Sequence, residues 1–412
     1  MSRDAAIVSV VIPTFNHAAF LPAAIKSALD QDFADLEIIV VDDGSTDETR
    51  AIAAGYGDRV QYLWQENAGL SAARNAGIRA ARGQFVALLD ADDVWLPDFL
   101  STVMGRWRDD PGLGAVYTGF YSIDQEGHRL PQVSTSTVPA EELYDRLLDG
   151  EFFVPSAVVT RRDCFDRVGF FDEALRGSED WDMWLRVSRE YRMAGLPLPL
   201  VHYRIHGSNM SGRPDYMLRY QLMVVDKHFG LDDGPPETWP RGRQRAYAAV
   251  CRFAAQGYYL AADVEASRRY LGLALEANPD LCVSVDLFYE LGCADQPLGQ
   301  RSIHARLNIE KNAAYLLSSL DQIFSWPGVP PRLRPRARTA RGHALLALGL
   351  LAYGNERLGL ARGYMARALV ADPRLLTHRS VLPTLGKALL GRRLRQVMGR
   401  RPGRGTHLDS RG

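Results

Sequence analysis

The stretch 86-VALLDADDVWLP-97 runs apolar for four residues and then sets Asp90, Asp92 and Asp93 within four positions. A short apolar run that turns abruptly acidic reads as a buried strand ending at a polar rim. The same pattern occurs upstream in 36-LEIIVVDDGSTD-47. Around these two clusters the sequence predicts a strand at 7–12, a helix from Ala18 to Leu29, and a helix from Thr46 to Ala54 capped by Ser45 or Thr46. A strand at Val60–Trp64, a helix at Leu70–Ala81 and a strand at Gln84–Leu89 follow. Strands alternating with helices predict an α/β fold, an open, mostly parallel Rossmann-like sheet flanked by helices. Ligands of such sheets bind beyond the carboxyl ends of the strands, where both acidic clusters fall.

From about residue 240 the texture changes to helix rich in Ala, Leu and Arg. The segments 258-YYLAADVEASRRYLGLALEANP-279 and 352-AYGNERLGLARGYMARALVADP-373 align at an offset of 94. Tyr259/Tyr353, Tyr270/Tyr364, Ala274/Ala368, Leu275/Leu369 and Pro279/Pro373 match. The closing A-L-x-x-[N/D]-P is similar to the end of a tetratricopeptide-type repeat; an ordinary helical bundle is the alternative. The expected organisation is an α/β domain over 1–215, a connecting segment over 216–240, an all-α, repeat-like domain over 241–391, and a basic, disordered tail over 392–412.

The 412 residues carry zero net charge, but residues 1–210 sum to −13 and residues 211–412 to +13. An acidic half that handles anions needs a metal or local cations. The arginine-rich tail predicts peripheral contact with an anionic membrane surface. Cys164, Cys251, Cys282 and Cys293 are scattered without a CxxC, and no apolar segment reaches the roughly 18 residues of a spanning helix. The expectation is a cytoplasmic protein, at most peripheral at the inner face of the membrane, with no nucleic-acid partner.

One helix cap needs one carboxylate and not three. Hard divalent cations take oxygen ligands and bind through one or two carboxylates plus substrate phosphates. An Asp-x-Asp at a strand end sets two carboxylates about 6–7 Å apart, so the cluster suggests a metal–diphosphate site. GxxxxGK[ST] is absent, and no GxGxxG follows the first strand. In 177-GSEDWDMWLRVS-188, Trp181, Trp184, Leu185 and Ser188 form one helical stripe. Ser178 is the predicted N-cap, and Glu179 and Asp180 fall in the first turn. In 201-VHYRIHGSNMS-211, strand alternation places His202, Arg204 and His206 on one face.

Five segments, VSVVIPTFN, EIIVVDDGSTDET, QENAGLSAARNAGIRAARGQFVALLDADDVWLPDFL, GFFDEALRGSEDWDMWLR and YRIHGSNMS, occur in that order over residues 7–212. Together they resemble the inverting family 2 nucleotide-sugar glycosyltransferases of the GT-A fold. The resemblance implies that Asp43 accepts a hydrogen bond from the nucleotide base, in a pocket lined by Pro13, Thr14 and Phe15. It implies that Arg74 reaches the phosphates, that Asp92 ligates Mn²⁺ or Mg²⁺, and that Asp90 serves the ribose side with a second metal contact. Asp93 is left as a turn or cap and His202 as structural. Asp180, rather than its neighbour Glu179, becomes the general base. Arg204 and His206 match an R-x-H element facing the diphosphate, with His206 a further metal ligand. The implied reaction moves a sugar from a nucleotide-sugar, a UDP-sugar being favoured, to a glycan, lipid-linked or protein acceptor in surface polysaccharide or glycan biosynthesis. Two rivals stand beside it. A nucleotidyltransferase making a nucleotide-sugar would have no use for Asp180. A silent scaffold working through its helical half would be expected to have lost Asp43, Asp92 or Asp180, and all three are present.

Overall fold

The computed structural model describes residues 7–386 apart from 208, 232–233, 297–298, 300–306 and 379. The basic tail at 392–412 lies outside the described residues. Nine strands, β1 (Val8–Thr14), β2 (Leu36–Asp42), β3 (Gln61–Trp64), β4 (Phe85–Leu88), β5 (Val94–Trp95), β6 (Ala115–Ile123), β7 (Arg129–Ser134), β8 (Val158–Arg161) and β9 (Met193–Arg204), form one sheet. Its order is β3-β2-β1-β4-β8-β6-β9-β5, with β7 on β6. The first four strands are parallel. Strand β8 runs antiparallel to β4 and β6, whereas β9 returns parallel to β6, so the sheet is mixed beyond β4.

Seven helices are interleaved with these strands: α1 (Leu21–Leu29), α2 (Thr49–Ala54), α3 (Leu70–Ala80), α4 (Phe99–Asp109), α5 (Leu143–Leu147), α6 (Asp163–Val168) and α7 (Glu179–Glu190). Val8, Val10 and Ile12 of β1 enter one core with Ile25 of α1 and Val103 of α4. Val11 enters the other, with Ala73 and Ile78 of α3. Strand β2 divides in the same way, Ile38 and Val40 against Ile39 and Val41. A strand apolar at every position has to be covered on both faces, and each such buried side chain contributes about 1.5–3 kcal/mol. Helix α3 seats closely on β1 because residue 77 is glycine; a Cβ there would lie 2.3 Å from Val11 Cγ1. Helix α2 starts at Thr49, later than expected, and neither Ser45 nor Thr46 caps it. Both are spent on Asn16: Ser45 Oγ accepts from its backbone N–H at 2.9 Å, and Thr46 N–H donates to its Oδ1 at 2.8 Å.

Helices α8 (Pro214–Phe229), α9 (Arg241–Leu260) and α10 (Val264–Ala277) follow, then α11 (Val285–Gly292), α12 (Ile309–Ser325), α13 (Ala337–Gly354) and α14 (Leu358–Ala371). The chain divides into two compact units. The first comprises the described residues up to Asn278 with Gly299; the second comprises 279–296 and the described residues from Leu307. Val224 and Val225 of α8 and Val250 and Ala254 of α9 share a core with Tyr117 and Trp184, so these helices belong with the sheet.

The aligned segments are the same helix hairpin made twice. In α9–α10 the turn residue Ala262 is left-handed at φ 64°; in α13–α14 the residue 94 positions on, Glu356, is left-handed at φ 58°. Asp263 N–H donates to Tyr258 O at 2.8 Å, and Arg357 N–H to Ala352 O at 2.9 Å. Each hairpin ends in a 3₁₀ turn, Pro279–Val283 or Pro373–Thr377. Among the described residues no helix is long and apolar enough to cross a membrane.

Candidate active site

The carboxyl ends of β2, β1 and β4 lie side by side, and Asp43 N–H donates to Thr14 O at 2.9 Å across the first gap. Pro13 and Thr14 are buried, Thr14 Oγ1 without a hydrogen-bond partner, and Phe15 is 45% exposed. A wet aromatic face beside an unanswered hydroxyl suits a planar polar ligand. Asp42 is a clamp: Oδ1 accepts from Ser45 N–H and Oδ2 from the Tyr62 hydroxyl. Asp43 is buried too, and Oδ1 accepts from both Gln65 Nε2 and Ala68 N–H. Among the described residues Oδ2 accepts only Gly69 N–H, which leaves one lone pair for a base.

The second cluster divides its three carboxylates. Asp93, expected as a turn or cap, is fully buried; it accepts from Ser156 Oγ at 2.6 Å and from Arg204 N–H at 2.9 Å. Burial, then Asp92 and Asp90, push its carboxyl well above the usual range. Asp92 Oδ2 faces His206 Nε2 at 2.9 Å, and the imidazole stacks on Phe20 with centroids 5.0 Å apart. One carboxylate oxygen and one imidazole nitrogen at that separation fit two adjacent ligands of a hard cation with bonds near ~2.1 Å. Asp90 is held by Arg74, whose Nη2 donates to both its oxygens at 2.8 and 3.1 Å.

Two arginines stand elsewhere than their expected roles require. Arg74, expected at the phosphates, is 1% exposed, and its Nη1 donates to Glu179 Oε1 at 2.5 Å. It has become the link between the acidic cluster and α7, because α3 packs it beneath Phe171 rather than toward solvent. Arg204, expected at the diphosphate, donates to the backbone carbonyls of Asp92, Asp124 and Gln125. At the end of β9 it is buried and spans the turns that follow β4 and β6.

Ser178 occupies the N-cap position of α7, but in a left-handed conformation at φ 55° and without a side-chain cap bond. That kink presents Glu179 and Asp180 differently. Glu179 is buried on Arg74, and burial lifts its carboxyl to about 7. Asp180 is half-buried; Oδ1 accepts from Trp181 N–H at 2.9 Å, and burial raises its carboxyl while Arg74 opposes the rise. The stripe behind them is packed: Trp181, Trp184 and Leu185 are buried. His202 accepts from Arg129 Nε at 3.3 Å.

Sequence reading missed three neighbours. His17 and Phe20 flank His206. Glu151, between α5 and β8, lies within hydrogen-bonding contact of Asp180, and its only sequence signal is an acid set between Gly150 and two phenylalanines. A separate group, Asp124, Glu126 and His128, gathers donor atoms within 4.8 Å at the exposed β6–β7 turn. There Asp124 accepts from His128 N–H, which closes the hairpin.

Acidic strand ends on a helix-covered sheet are thus tied through one buried arginine to the carboxylate pair of α7. The family model for glycosyl transferase family 2 matches residues 9–169. The chain is 34% identical over 217 residues to an uncharacterized glycosyltransferase of Rickettsia prowazekii, covering 50% of this chain and 66% of that one. It is 31% identical over 245 residues to the uncharacterized glycosyltransferase EpsJ of Bacillus subtilis, 55% of this chain and 71% of the relative. Against chondroitin synthase of Escherichia coli it is 30% identical over 208 residues, 50% of this chain and 30% of the relative. The chain thus spans less than two thirds of several relatives' length, and it belongs to glycosyl transferase family 2.

Proposed function

We propose that the chain transfers a sugar with inversion from a nucleoside-diphosphate sugar to an acceptor hydroxyl. The observation that carries this is Asp180, a half-buried carboxylate that is the exposed member of its pair and is coupled through Glu179 and Arg74 to Asp90. Its raised affinity for protons suits a base that collects the acceptor proton as the oxygen attacks. The new C–O bond forms opposite the leaving diphosphate, whose bond to the anomeric carbon breaks, so no enzyme nucleophile is needed. Asp92 and His206 would hold a Mn²⁺ or Mg²⁺ ion, with Asp90 alongside, and that ion supplies Lewis-acid neutralisation of the leaving diphosphate. Phe15 and the remaining lone pair of Asp43 receive the base. Uracil, thymine and guanine all offer an N–H, so Asp43 leaves the nucleotide open. The similarity to a chondroitin synthase supports a glycan acceptor and a place in polysaccharide building; lipid-linked and protein acceptors offer the same hydroxyl.

The test is nucleoside-diphosphate release from UDP-, GDP- and dTDP-sugars, with Mn²⁺ or EDTA, by wild type and Asp180→Asn. Metal-dependent release from one donor, lost in Asp180→Asn, is expected. Full turnover by Asp180→Asn would remove the base assignment, and no binding of any donor would remove the reading altogether.

A further inference from the structure

We propose that Glu151 is the positioning residue for Asp180, the two forming a one-proton carboxyl pair in which Glu151 keeps the proton and donates it to Asp180 as a hydrogen bond. This rests on the reading of Asp180 as the base.

Two carboxyls in hydrogen-bonding contact cannot both ionise cheaply, so one proton bridges them. The surroundings decide which one keeps it. Asp180 sits at the N-terminus of α7, accepts a helix N–H and has Arg74 close by, all of which favour its anion. The charged groups acting on Glu151 are Asp180 and Glu179 of α7, which disfavour its ionisation, and Arg74 of α3, which opposes them with the smallest effect. Glu151 Oε1 is buried without a partner. With burial as the largest cause, its carboxyl is held well above the usual range.

The loop that carries Glu151 is built to hold it in place. Arg146 Nη1 donates to Gly150 O at 2.9 Å, and Gly150 takes a φ of 105°. From α9, Arg245 pairs with the Asp149 carboxylate and Arg252 donates to Asp149 O. On the other side Phe153 stacks on Tyr117 with centroids 4.4 Å apart. Helix α9 thereby clamps the backbone on one side of Glu151 while the sheet holds the other. A protonated Glu151 fixed in this way orients Asp180 toward an incoming hydroxyl. It also lets the pair carry a single negative charge beside Glu179.

The experiment uses the full chain with Glu151→Gln and Glu151→Ala. Infrared difference spectroscopy at neutral pH should show a protonated carboxyl band in wild type that is lost in Glu151→Gln, without need of turnover. Wild-type kcat should fall at alkaline pH as Glu151 ionises and repels Asp180. Glu151→Gln, which keeps a donor, should lower kcat a few-fold and abolish that limb. Glu151→Ala should cost roughly 10²-fold in kcat with donor KM unchanged. An unchanged infrared band or an intact alkaline limb in Glu151→Gln overturns the proposal, as does Glu151→Ala within twofold of wild type. Should Asp180→Asn keep full turnover, the base reading fails by that result, while the infrared band still decides whether the proton is shared.

Discussion

Asp180 and Asp182 stand two residues apart in the first turn of one helix, and the fold treats them oppositely. Asp182 is completely buried, yet Arg186 donates to it at 2.8 and 3.0 Å, Lys227 at 3.0 Å, and His228 Nε2 lies 2.9 Å away. These partners hold its carboxyl far below the usual range despite burial. Among the described residues Asp180 has no such set of cations bonded to it: burial pushes its carboxyl up, Asp90 adds to the rise, and Arg74 with the Trp181 N–H only opposes it. Burial alone therefore does not set the chemistry of a carboxylate; the charges brought against it do. One aspartate is neutralised into a brace, and the other is kept basic.

Exchanging each for asparagine should separate the two roles. Asp180→Asn should lose roughly 10²–10⁴-fold in kcat while unfolding at the wild-type denaturant concentration or above, since it removes a charge held among like charges. Asp182→Asn should lose about 3 kcal/mol of stability, because Arg186, Lys227 and His228 are left without their anion. Its folded fraction should still turn over donor. Urea unfolding beside initial rates reads both, and a stability loss in the first variant or a selective rate loss in the second would collapse the distinction.

The two groups also predict different responses to acid. As the proposed base Asp180 would act as an anion, and its proton affinity is raised, so activity should fall on acidification at a pH above the ordinary aspartate value of about 3.9. Asp182 has a depressed value, so its contribution to stability is complete above about 3.9 and is lost only below it. Activity should therefore disappear first, in protein still folded by circular dichroism. Coincident loss of both would mean that unfolding sets the acid limit.

How much of this could be read from the chain follows the range of the forces involved. Strands β1 to β4 and the helices between them emerge from apolar periodicity, which is local. Strand β5 has two residues, and β7 carries Pro131 and no fully buried position, so neither stands out as a strand in the sequence. Asp90 and Asp92 follow the end of β4 and Asp180 lies in the first turn of α7, placements that a strand end and a helix start make legible. Arg74 and Arg204 did not follow expectation, since a long side chain takes whichever carboxylate or carbonyl the tertiary packing brings. Glu151 lies on a non-periodic loop, and its partner is contributed by a helix almost thirty residues later.

The hairpin turns at Ala262 and Glu356 supply a last comparison, the smallest in energy. A left-handed non-glycine residue costs roughly 1–2 kcal/mol that glycine avoids, less the entropy glycine loses on folding. Ala262→Gly and Glu356→Gly should each shift stability by at most about 1 kcal/mol, measurable as local hydrogen exchange of the following helix. Because both turns share one backbone geometry, a difference between the two shifts reports their surroundings and not the turn. The molecule thus carries a matched standard for its own local stability, copied 94 residues downstream.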